Sequence, residues 1–171
     1  QESKARSIAF RAQHAAWKHQ RGEDPLFKTW QELEAALEAA EKLGSLWLVA
    51  EVGEVFLRFL MESGKTENAV VAGLRIFPMI MHHASPLKVA PFLLVFGGAL
   101  LEAGHEASLA AVLKLLKRYE KALDRGFMGI RYHALRARVT CGRGAEKACE
   151  RYRAEARRLV RDGEARAGDS C

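Results

Sequence analysis

The residues best placed to do chemistry in this sequence are guanidinium groups. In AEKACERYRAEARRLVR, residues 145–161, Arg153, Arg157 and Arg161 recur at every fourth position, which on a helix sets them along one line. Lys147, Arg151 and Arg158 widen the basic surface, and Arg131, Arg136, Arg138 and Arg143 precede it. Groups of this kind neutralise phosphates, release their counterions and add affinity that does not depend on base sequence. The ten cations therefore mark a candidate nucleic-acid-binding face. The same pattern also suits a solvated helix surface, because Glu146, Glu150 and Glu155 can pair with some of them. Cys149, Tyr152, Ala156, Leu159 and Val160 are expected on the inward side of this helix.

The net charge of +6 is unevenly spread. Residues 127–171 hold 11 Lys and Arg against 6 Asp and Glu, whereas residues 1–43 hold 7 of each. A basic end on a neutral body points to an acidic partner, with nucleic acid ahead of an acidic protein or a membrane surface.

Other chemistry is hard to place. No G-x-S-x-G, phosphate-binding G-x-x-x-x-G-K-[ST] or C-x-x-C pattern occurs, and the six histidines lack metal-ligand spacing, so they read as capping or exposed groups. Glu51 and Glu54 read as solvent-facing edges of a packed helix, and Trp17, Trp30 and Trp47 as separate core anchors. No catalytic residue, metal ligand, cofactor or small-molecule substrate is expected. Cys141, Cys149 and Cys171 are too few for a disulfide framework and favour free thiols in a reducing compartment; a Cys141–Cys149 bridge across a helical hairpin is the alternative.

The elements that position these groups are helices. Ala, Leu, Glu, Lys and Arg dominate, prolines number four, and no clean β alternation appears. Glycines and capping residues divide the chain into about eight helices. Thr29 and Glu32 form a capping box, Ser85 caps a helix with Pro86 in its first turn, and Pro78 ends or kinks another. Val89–Leu101 carries no charge, yet it is too short for a membrane span. It reads as a helix flanked on both sides, with Gly97 and Gly98 admitting a neighbouring backbone.

Three stretches share one layout: FLMESGKTENAVV around Gly64, ALLEAGHEASLAAV around Gly104, and ARVTCGRGAEKAC around Gly142. In each, a helix ends, a glycine-containing turn follows, and a second helix enters with Ala69, Ala110 or Ala148 near its start. Hairpins repeating at this spacing must stack to bury both apolar faces. The units resemble tetratricopeptide-type or pentatricopeptide-type repeats. Gly97 precedes Gly104 by the seven residues of the tetratricopeptide pattern, and residues 100–127 are similar to a pentatricopeptide unit. VAPFL, residues 89–93, lacks the small polar residues with which pentatricopeptide proteins read bases, so one-base-per-repeat reading is not expected.

The resemblance implies an all-α, right-handed α-solenoid of about four antiparallel hairpins in one domain over residues 1–171. Its parts are an N-terminal hairpin (1–44), repeat-like hairpins (45–84, 85–126, 127–162) and a flexible tail (163–171). Together with the Arg-rich end, it implies a scaffold subunit of a larger, RNA-containing assembly in a mitochondrial or other organellar matrix, or otherwise in the cytoplasm, touching RNA phosphates without sequence specificity. The competing expectation is an adaptor that holds a peptide or partner helix without nucleic acid.

Overall fold

The computed structural model describes residues 2–82 and 85–168, and every regular element among them is helical. In chain order these are α1 (Glu2–Gln20), α2 (Leu26–Leu43), α3 (Leu46–Glu62), α4 (Thr66–Ile80), α5 (Pro86–Ala103), α6 (Glu106–Arg118), α7 (Glu120–Leu123), α8 (Gly126–Gly142) and α9 (Glu146–Gly168). Nine helices are thus described where eight were expected. The stretch 105–124 is α6 followed by the single turn of α7, separated at Tyr119. Helix α9 runs on to Gly168, into the segment read as a tail.

The chain divides into two compact units, residues 1–106 and 107–171, and the boundary falls inside the segment expected to form the third hairpin. In the first unit α3 is central and packs against α1, α2, α4 and α5. Its residues Leu48, Val52, Leu57 and Leu60 are fully buried on different sides of the helix, as such a position demands.

Helix α5 lies on α3 and α4, which accounts for the charge-free run. Val89, Ala90, Phe92, Leu93, Phe96, Ala99 and Leu100 are all at 0% exposure. The close approach, however, is not at Gly98, around which space is open. It is at Gly53 of α3 and Gly73 of α4. A Cβ on Gly53 would stand 3.2 Å from the Phe92 ring, and one on Gly73 would overlap the Phe96 ring. The sequence places the glycines on the receiving helices and the aromatics on the incoming one.

The turns repeat. At Gly22, Gly64, Gly104 and Gly144 the backbone is left-handed, which only glycine adopts at little cost. Each is closed by the same pair of bonds: for Gly64, its own N–H donates to Met61 O and the Lys65 N–H to Leu60 O, the Schellman arrangement. The third expected turn glycine is therefore Gly144, while Gly142 is the last residue of α8.

Several local expectations are corrected. Helix α2 begins at Leu26, not after Thr29. Pro25 already holds φ at −70° in the cap position, and Lys28 pairs with Asp24 at 2.6 Å across the first turn. Thr29 is consequently inside the helix, fully buried, and its hydroxyl has no partner among the described residues. Ser85 occupies the cap position of α5 but makes no side-chain cap bond, and Pro91 lies within α5. Pro78 sits in the last turn of α4, which ends two residues later. Glu54 is buried and pairs with Arg58 at 3.2 Å, so it is no solvent-facing edge. None of the tryptophans is a buried anchor: Trp30 and Trp47 are half-buried and Trp17 is exposed.

Candidate nucleic-acid interface

The basic residues lie on the hairpin of α8 and α9, and the register of that hairpin is set by four pairs. The pairs are Gly129 with Leu159, His133 with Glu155, Arg136 with Tyr152, and Cys141 with Cys149. Their numbers fall on one helix as they rise on the other, as in an antiparallel pair. Cys141 and Cys149 are joined by a disulfide at the turn end, with Cα atoms 5.1 Å apart. The free-thiol expectation is thus corrected for this pair, because the Gly144 turn returns the chain beside itself. Cys171 lies outside the described residues.

The inner side of the hairpin carries polar groups among Leu135, Val139 and Leu159. Tyr132 is at 0% exposure and donates its phenol to Glu120 at 3.2 Å. Burial, and then the Glu120 carboxylate, push its pKa well above the ordinary range. Arg136 is half-buried, donates to the Tyr152 hydroxyl at 3.0 Å and stacks over the same ring.

The other cations divide by face. Arg138, Arg143, Lys147, Arg151, Arg153, Arg157, Arg158 and Arg161 are exposed, and Arg131 is half-buried with its guanidinium over Phe127. The line of Arg153, Arg157 and Arg161 is on the solvent side as expected. Glu150 pairs with Arg153 at 3.0 Å and with Arg157 at 3.6 Å, leaving one carboxylate between two guanidiniums. Among the described residues Arg161, Arg138 and Lys147 have no acidic partner. Ala156, Arg157, Val160 and Arg161 line a depression of about 440 Å³. Val160 is therefore exposed and is a correction to the inward set, while Cys149, Tyr152 and Leu159 are buried as expected.

Arg158 belongs to the opposite flank of α9. It donates to Glu155 at 2.9 Å and to Asp162 at 3.0 Å, and the hydrogen bond to Glu155 is the main cause that raises its pKa. Arg136 and Arg158 are accordingly engaged within the hairpin, and the stripe on the other flank is the part open to a ligand.

Two clusters escaped sequence reasoning. His133 is 4% exposed in the middle of α8, bonded through Nε2 to Asp124 Oδ1 at 2.8 Å, so it neither caps a helix nor faces solvent. Glu155 brings a third donor to that pair. On α1, Phe10, His14 and Trp17 stack in succession along an exposed face, and Arg21 lies over Trp17 at 4.7 Å. The i, i+4 and i, i+3 spacings of those rings were a legible signal; the separations within the His133 cluster were not.

No family model, curated protein or solved structure matches this chain. Among the described residues no helix is long and apolar enough to cross a membrane.

Proposed function

We propose that this chain is a non-catalytic helical-repeat scaffold within a larger RNA-containing assembly, organellar in location, and that its α8–α9 hairpin touches RNA phosphates. The observation that carries the reading is the exposed line Arg153, Arg157 and Arg161 beside an apolar depression, on a unit with excess positive charge. Guanidiniums fork onto phosphate oxygens, and Ala156 and Val160 offer an uncharged floor for a sugar or base edge. Arg138, Arg143, Lys147 and Arg151 extend the field toward the turn. The right-handed solenoid of four hairpins belongs to the same reading. Its support is the recurrence of one turn at Gly22, Gly64, Gly104 and Gly144, and the way α3 packs on both α1 and α5 in the first unit.

The test is binding of single-stranded RNA as a function of salt. Replacing Arg153, Arg157 and Arg161 with Gln should remove most of the affinity and lower the slope of log K against log salt by roughly 2, at about 0.7 per phosphate contact on single strands. Glu150→Gln should act oppositely and tighten binding, since it frees two guanidiniums. Unchanged affinity in the triple variant sinks the assignment.

A second reading rests on a groove between α3 and α5 of about 340 Å³, lined by Trp47, Glu51, Glu54, Leu87, Lys88 and Pro91. It suits a partner peptide or helix held without nucleic acid. Such binding would be indifferent to the arginine substitutions and would respond to Trp47→Ala.

A further inference from the structure

We propose that Asp124, His133 and Glu155 form a site for one divalent transition-metal ion of the zinc class, which ties the turn before α8 to both helices of the α8–α9 hairpin. Asp124 lies between α7 and α8, His133 at the middle of α8 and Glu155 on α9. One donor atom from each lies within 4.8 Å of the other two. One imidazole nitrogen with two carboxylate oxygens is a donor set that Zn²⁺, Fe²⁺ and Mn²⁺ accept, and three protein ligands leave a position for water. A cavity of about 360 Å³ adjoins the site at Asp124 and is lined also by Arg125, Arg158 and Asp162.

The placement of the imidazole, buried with Nε2 against Asp124, supports this. The His133 side chain is 6% exposed, and its Nδ1 is buried with no hydrogen-bond partner among the described residues. With the proton on Nε2, the ring satisfies Asp124 and strands a lone pair on Nδ1. With the proton on Nδ1, the Nε2 lone pair faces the Asp124 oxygen at 2.8 Å, which is repulsive. A cation at Nε2 turns that second arrangement into a bonding one, while the Nδ1 proton still lacks an acceptor among the described residues. Charge points the same way. Asp124, Glu155 and Asp162 stand with two arginines, Arg125 and Arg158, leaving one acidic group in excess on a basic unit.

Metal–ligand distances of about 2.0–2.2 Å require the three donors to draw slightly together. Glu155 is half-buried on a flexible side chain and can do this without backbone movement, provided that it leaves Arg158, which keeps Asp162.

The experiment titrates the full chain, disulfide intact, with Zn²⁺ by calorimetry and with Co²⁺ by visible absorption. One ion per chain is expected, with a rise in the melting temperature of the α8–α9 hairpin as a ligand bound only by the folded form must give. Asp124→Asn and Glu155→Gln should each weaken binding at least tenfold, and Arg158→Gln should tighten it by removing a competing cation. Glu150→Gln, on the other flank, should leave metal affinity unchanged while altering RNA affinity, which keeps the two sites separable. His133→Ala can unfold the hairpin, so the two carboxylate variants carry the decision. Absence of saturable binding at micromolar metal overturns the proposal. So does wild-type affinity in the Asp124→Asn, Glu155→Gln double variant, which would put the ion on the exposed histidines.

Discussion

The two compact units solve the same problem by different means. Residues 1–106 hold 11 Lys and Arg against 13 Asp and Glu, and their interior is aliphatic and aromatic: Leu33, Leu37, Leu48, Leu57, Leu60, Ile76, Phe92, Phe96 and Leu100 all lie below 2% exposure. Residues 107–171 hold 16 basic residues against 8 acidic ones, and the inside of their hairpin sets Tyr132, His133, Tyr152 and the half-buried Arg136 beside Leu135, Val139 and Leu159. A unit of this size has little apolar area to bury, and a cross-link compensates by restricting the unfolded chain. The first unit is held by packing. The second adds the Cys141–Cys149 bridge and the contacts of Tyr132, His133 and Arg136 to a smaller apolar set, and its outer surface is left free to carry charge.

The strongest way to break that contrast is to remove packing from the first unit. Phe96→Ala deletes a fully buried ring seated over Gly73, and large-to-small changes of this kind cost about 3–5 kcal/mol. Hydrogen exchange should show protection collapsing in α3, α4 and α5 while α8 and α9 retain most of theirs. Equal losses in both units would mean that they unfold as one and that the contrast has no energetic content.

Next in size is the bridge. Cys141→Ser together with Cys149→Ser removes a short loop closure, worth about 2–3 kcal/mol in the chain-entropy account. Here the loss of protection should fall on α8 and α9 and spare α3–α5. If the paired variant melted like the wild type, packing and polar contacts would hold the hairpin without the bridge.

The same contrast explains what could be read in advance. Helical class and the turns at Gly64 and Gly104 follow from local chemistry, because a left-handed glycine acts within a few residues. Gly53 and Gly73 could not be told from Gly98, since which glycine receives an aromatic depends on the helix opposite. Thr29 and Glu32 fitted the capping-box pattern, but Pro25 and the Asp24–Lys28 pair start the helix one turn earlier. The exposed stripe of Arg153, Arg157 and Arg161 was legible from periodicity. The cluster of Asp124, His133 and Glu155 was not, because its members come from a turn and two helices and meet only when the hairpin closes.

The smallest expected effect sharpens the contrast through Glu51, a carboxylate of the first unit whose surroundings oppose its charge. Burial, and then repulsion from Glu54, raise the pKa of Glu51 above its ordinary range, with Lys88 opposing. A carboxyl whose folded pKa is raised is fully accommodated below its unfolded pKa, and it costs stability as pH rises through the folded value. Glu51→Gln removes that cost and leaves the Gln13 contact an acceptor oxygen. The variant should therefore gain on the wild type in urea midpoint as pH moves from mildly acidic to neutral, by less than the bridge contributes to the second unit. A gain independent of pH would trace the effect to side-chain packing. A variant that weakened toward neutral pH would show that the ionised Glu51 is stabilised in the groove, by Lys88 ahead of its other neighbours.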